Sequence, residues 1–157
     1  MMRYLLACTV ALLGAPVHAA VPDMPTYYTK EGIQFSPEKG VHVDLTLRDT
    51  SVALVINDGR AARPVTIDWE TETSLRVSVA DFNFDGRPDF AISQLDWGMG
   101  TYYIYRIFLY DRRKREFTEL RPRCGYEFVN VRLSGRTLVN YYVVDHVWKA
   151  CRMTFGR

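Results

Sequence analysis

The chain has 157 residues, 48% of them apolar and 24% charged, which suffices for one ordinary domain and is too mixed in sign for a disordered chain. Twenty Lys and Arg stand against 18 Asp and Glu, a net charge of +2; nucleic-acid binders carry a concentrated basic excess, so nucleic acid is not an expected partner. Aromatic residues make up 13%, ten of them Tyr, and such a chain suits pleated sheets better than helix bundles.

The first segment reads as a targeting signal. Arg3 supplies a short positive region, and Tyr4 to Val17 is mostly apolar but too short to span a bilayer. Val17-His18-Ala19 then offers small residues at the two positions a signal peptidase reads. A signal peptide over 1–19, cut after Ala19 or Ala20, predicts a periplasmic or secreted protein that does not span the membrane. Processing would remove Cys8 and leave Cys124 and Cys151. In an exported chain an even pair reads as a disulfide, which would stabilise the fold by about 3 to 4 kcal/mol in the chain-entropy model. The competing reading is a catalytic thiol with His42 or His146 as base, but an oxidising compartment consumes a free thiol beside a second one.

Residues 20–37 hold three prolines and many polar side chains, an extended lead-in to a single domain over 38–157. From there the pattern has period two. Val41, Val43, Leu45 and Leu47 alternate with His42, Asp44, Thr46 and Arg48, as in a half-buried strand. Val52, Leu54 and Ile56 repeat it, and Asn57-Asp58-Gly59 supplies a turn. Strands are predicted over Val65 to Trp69, Leu75 to Val79, from Phe90 onward, and over Tyr102 to Tyr110. Phe128 to Leu133 and Thr137 to Val144 flank Ser134-Gly135-Arg136, a hairpin signal, and Trp148 to Phe155 reads as a last strand. No window keeps a 3.6-residue period. The expected class is all-β: an antiparallel meander, propeller-like or a compact barrel or sandwich.

The segment richest in chemistry is Asp81-Phe82-Asn83-Phe84-Asp85-Gly86-Arg87-Pro88-Asp89. A hard cation such as Ca²⁺ takes six to eight oxygens at about 2.3 to 2.6 Å. Asp81, Asn83 and Asp85, at alternate positions of a tight loop, can turn three side-chain oxygens inward together. Gly86 permits the reversal, Arg87 offers its backbone carbonyl, and Asp89 closes the loop directly or through water. Three crowded carboxylates repel one another unless a cation lies among them. This is no EF-hand: the twelfth position is Ile92 rather than a bidentate Glu, and both flanks alternate as strands. An acidic turn held by Asx bonds is the plainer alternative.

Val79 to Phe90 resembles the calcium loop of FG-GAP and VCBS-type repeats in integrin-like propellers. The downstream run Asp96-Trp97-Gly98-Met99-Gly100-Thr101-Tyr102-Tyr103-Ile104-Tyr105, with Phe108-Leu109-Tyr110-Asp111 and Phe117, is similar to a family of small bacterial envelope proteins. One member of that family is an immunity protein that inhibits a peptidoglycan-cleaving toxin of a type IV secretion system. The resemblance implies Asp81, Asn83, Asp85, the Arg87 carbonyl and Asp89 as a calcium shell, and a lysozyme-like peptidoglycan hydrolase as partner. The chain departs from the pattern in having one calcium loop and a length that is short for a closed propeller.

No Gly-x-Ser-x-Gly elbow or clustered His and Cys is present, and the grouped carboxylates suit a metal better than glycoside hydrolysis, so no enzymatic activity is expected. Two loops are candidates for contact with a partner. One is Asp96, Trp97 and Met99 in the glycine-flanked turn, where large side chains make interface anchors. The other is the basic run containing Arg113 and Lys114, which suits an acidic cleft. The expected function is an exported, calcium-stabilised inhibitor of a peptidoglycan hydrolase. The alternative is a non-inhibitory envelope module that binds a glycan or a protein.

Overall fold

The computed structural model describes residues 26–27, 32–71, 73–96 and 102–156. The expected signal peptide lies outside them. Every described residue in regular structure is in a strand, and every strand pair is antiparallel. After the two-residue β1 (Thr26–Tyr27), β2 (Ile33–Glu38), β3 (Val41–Leu47), β4 (Ser51–Asn57) and β5 (Ala62–Asp68) form a four-stranded meander. The second sheet contains β6 (Arg76–Ala80), β7 (Asp89–Asp96), β8 (Tyr102–Asp111), β9 (Glu116–Leu120), β10 (Phe128–Ser134), β11 (Thr137–Val144) and β12 (Val147–Thr154). Its order is β1-β6-β7-β8-β10-β11-β12, with β9 also on β8. The far edge of β8 is shared: Ile107 to Asp111 pair with β9, while Ile104 and Tyr105 pair with β10. The result is two sheets, the larger one curled, rather than a stack of propeller blades.

The lead-in expected over 20–37 is shorter than its composition suggests. Thr26 and Tyr27 pair with β6, and Ile33–Glu38 is a full strand of the smaller sheet. Gln34, Ser36 and Pro37 mask that strand in the sequence. A register shift between Phe35 and Glu38 accommodates Pro37, which has no N–H to give the ladder.

Two cores result. In β3 the burial alternates strictly, with Val41, Val43, Leu45 and Leu47 inside. These and Val52, Leu54 and Ile56 of β4 face Val77, Phe90, Ile92 and Phe108 of the larger sheet. Phe90 and Phe108 are cross-strand partners whose rings stack at 4.8 Å, and Phe117 meets Phe90 edge-on at 4.9 Å. The opposite face of the larger sheet holds the second core, with Phe82, Ala91, Ile107, Phe128, Leu138 and Met153. Strand β7 therefore serves both cores and is buried on both faces from Asp89 to Ser93, which explains its unbroken apolar run. Val65, expected inside with Ile67, is 45% exposed on the edge strand β5.

A buried amide joins the second core to the loop before β10. Asn140 is fully buried; its Oδ1 accepts from Val129 N at 2.7 Å, and its Nδ2 donates to the carbonyls of Cys124 and Glu127, both at 3.0 Å. Asn140→Ala would leave these backbone groups unsatisfied, so we expect a loss of about 2 to 3 kcal/mol in denaturant unfolding. A loss below about 0.5 kcal/mol would mean that water replaces the amide without cost.

Candidate functional site

The acidic loop closes the β6–β7 hairpin, in which Ala80 and Asp89 are paired. Asp81 accepts from Asp85 N at 3.0 Å through Oδ1 and from Gly86 N at 2.7 Å through Oδ2. Asn83 Oδ1 also accepts from Asp85 N at 3.0 Å, and Asp85 Oδ1 accepts from Arg87 N at 2.9 Å. These are the local bonds that Asp and Asn make in tight turns. Phe84 and Gly86 have positive φ, 61° and 87°. The loop is fixed to the body at three places. Phe82 is fully buried in the second core, Phe84 O accepts from Arg136 Nη2 at 3.1 Å, and Asp89 reaches two backbone amides.

Asp89 is fully buried. Its Oδ2 accepts from Phe82 N at 2.9 Å and its Oδ1 from Tyr110 N at 2.8 Å, so one carboxylate ties the loop to β8. Burial, together with the charges of Asp85 and Asp81, pushes its pKa from 3.8 up to about 7 against the opposing effect of the two amide bonds. A nearby charge to relieve the loop comes from Arg87, whose Nη1 lies 3.6 Å from Asp85 Oδ2 at the surface.

The donor chemistry of Asp81, Asn83, Asp85, the Arg87 carbonyl and Asp89 fits a hard cation: each carboxylate oxygen that accepts one amide retains a second lone pair. Among the described residues, no group of three or more His, Cys, Asp or Glu forms a ready-made metal cluster. Asp81 and Asp85 are turned toward the amides of their own loop and Asp89 toward Phe82 N and Tyr110 N, and binding a cation would require them to turn toward one centre.

The expected partner-contact residues fall differently. Asp96 ends β7 opposite Tyr102 and accepts a hydrogen bond from its phenol, which pushes the Tyr102 pKa up to about 12. Trp97 and Met99 lie outside the described residues. Arg113 and Lys114 are at the exposed tip of the β8–β9 hairpin, where Asp111 Oδ1 accepts their amides at 2.8 and 3.2 Å. Lys114 lies 3.6 Å from Glu116, and Glu38 pairs with Arg112 at 3.3 Å and Arg115 at 3.5 Å. The basic run is thus partly neutralised within the fold, leaving Arg113 as its freest charge. Cys124 and Cys151 form the expected disulfide, Cα to Cα 6.1 Å.

Among the described residues there is also an exposed apolar patch that the sequence expectations do not include. The outer end of the β11–β12 hairpin exposes Val143 (51%), Val147 (57%) and Trp148 (50%), and Tyr126 beside it is fully exposed. Tyr126, Val143 and Trp148, with Tyr102 and Tyr142, border an open recess of about 500 Å³. Trp148 meets Tyr102 edge-on at 5.7 Å. Gly125, at the recess wall, has φ +76°, and a Cβ there would lie 2.9 Å from Tyr142 Cβ. The available signal was Val143-Val144 and Val147-Trp148 on either side of a polar turn, where two adjacent apolar residues cannot both face a core. No helix among the described residues is long and apolar enough to cross a membrane. No family model, curated protein or solved structure matches the chain.

Proposed function

We propose that the chain is an exported protein that binds and inhibits a lysozyme-like peptidoglycan hydrolase, in the manner of an immunity protein, and that a calcium ion in the Asp81–Asp89 loop stiffens it. The observation that carries the calcium reading is the loop itself, in which local bonds gather the oxygen donors of Asp81, Asn83 and Asp85 and the buried Asp89 carboxylate closes the segment. Asp81, Asn83, Asp85, the Arg87 carbonyl and Asp89 would hold the ion, whose part is structural: it neutralises the loop. Its affinity is expected at roughly 10⁻⁴ to 10⁻³ M, the range of extracellular modules. The disulfide supports export. The resemblance of Asp81–Asp89 and of the Tyr-rich strand after it to calcium-loop envelope proteins supports the hydrolase as target.

Lysis of purified peptidoglycan by a panel of lysozyme-like hydrolases, with and without the protein, tests the reading. Suppression of at least one enzyme in calcium, weakened in chelator, is expected; indifference of the whole panel would overturn inhibition. The exposed aromatic recess favours a second reading, a non-inhibitory glycan-binding envelope module. Retention on purified peptidoglycan with lysis unaffected would select it.

A further inference from the structure

Among the described residues, the smaller sheet covers its face of the larger sheet only in part. The core between the sheets draws on β6, β7, β8 and β9, and no residue of β10, β11 or β12 belongs to it. Strand register shows what the uncovered part presents. Arg132 on β10 is opposite Val139 on β11, and Val139 is opposite Arg152 on β12. Directly paired residues share a face, so the two exposed guanidinium groups flank one valine, about 10 Å apart at the backbone, two strand spacings. Val139 itself is only 5% exposed, consistent with arginine stems lying across it. Along the same face come Tyr141, paired with Ala150, then Val143, paired with Trp148. Arg132 lies over the Tyr141 ring, 5.9 Å from its centroid.

Charge complementarity indicates the occupant. From Arg121 to Thr154 the chain carries five arginines and one lysine against one glutamate and one aspartate, all exposed. Arg132 and Arg152 make no ion pair among the described residues, unlike Arg112, Lys114 and Arg115 of the basic hairpin tip. Arginine, tyrosine and tryptophan on one rigid face are the side chains that carry most binding energy at protein interfaces. We infer that the open face of β10–β12, with Arg132 and Arg152 as its charged pair and Trp148 as its aromatic anchor, docks an acidic protein surface. Resting on the inhibitor reading, it assigns that surface to the carboxylate-lined cleft of the hydrolase.

The test uses purified lysozyme-like hydrolases of net negative charge, immobilised on a biosensor, with the full chain in calcium as analyte and lysis assayed in parallel. At least one hydrolase is expected to bind. Arg132→Glu/Arg152→Glu should weaken that binding about 30-fold, and Arg113→Glu/Lys114→Glu less than about 3-fold. Arg132→Gln/Arg152→Gln, which retains the stems, should weaken it about 10-fold, and an unchanged melting temperature in each variant excludes misfolding as the cause. Binding and suppression that survive the charge reversal overturn the docking face and leave inhibition standing. Binding through this face without suppression of lysis does the opposite. No binding to any enzyme of the set, or retention on peptidoglycan that the charge reversal abolishes, overturns a protein partner for this face.

Discussion

Asp89→Ala is expected to cost about 4 kcal/mol of stability in calcium-free buffer at about pH 4, where the buried carboxyl carries no charge penalty. The substitution strips the acceptor from two buried amides, Phe82 N and Tyr110 N, at roughly 1 to 3 kcal/mol each, and removes the tie between loop and β8. At this chain length that corresponds to a melting temperature lower by roughly 10 to 15 °C. A fall under about 3 °C would mean that water satisfies both amides. The same carboxyl sets a pH signature. Its folded pKa is about 7 against 3.8 when free, so between those values the calcium-free folded chain holds a proton that the unfolded chain has released. Stability should therefore decline as pH rises through that window and level off above it. Asp89→Asn should flatten the decline; a slope unchanged in Asp89→Asn would assign it to other groups.

Opening the disulfide is the second large effect expected. Cys124 and Cys151 are separated by 27 positions, and a loop of that length confines the unfolded chain by about 3 to 4 kcal/mol. The bond also fixes the 124–127 segment, which carries Gly125 and Tyr126 of the recess, to β12. Cys124→Ser/Cys151→Ser should lower denaturant stability by that amount and remove its sensitivity to reductant. It should also expose the backbone amides of that segment to faster hydrogen exchange, while those of β3 and β4 stay slow relative to global unfolding. Equal stability with and without reductant in the unmodified chain would contradict the estimate.

Much of the fold is legible in the sequence where one face of a strand is wet and the other dry. Strands β3 and β4 alternate cleanly, and the β10–β11 turn at Gly135 is explicit. Strand β2 is hidden because Gln34, Ser36 and Pro37 interrupt its apolar positions, and β9 because its five residues are mostly half-buried and only Phe117 stands out. The acidic loop is visible from spacing alone, since its bonds are local. The second hold of Asp89 is not, because Tyr110 lies 21 residues further on. The same reason defeats the reading of Arg113 and Lys114: the sequence displays a basic run but not Glu38, which the packing of the smaller sheet on the larger brings to Arg112 and Arg115. Arg132 and Arg152 become neighbours only through a register that includes the irregularity between Val129 and Arg132. A one-residue slip would place one of them on the opposite face.

If the Asp81–Asp89 loop takes calcium and the ion organises the protein, calcium stabilises the chain through that loop. Thermal melting of the unmodified chain and of Asp85→Ala, each in millimolar calcium and in chelator at pH above 7, tests it most directly. Asp85 is half-exposed and its removal spares Asp89 and both of its amide bonds. Calcium is expected to raise the melting temperature of the unmodified chain by several degrees, as a ligand present at about 10 to 100 times its dissociation constant does, and to leave Asp85→Ala unmoved. An equal response of the two chains to calcium, or none in either, would contradict it.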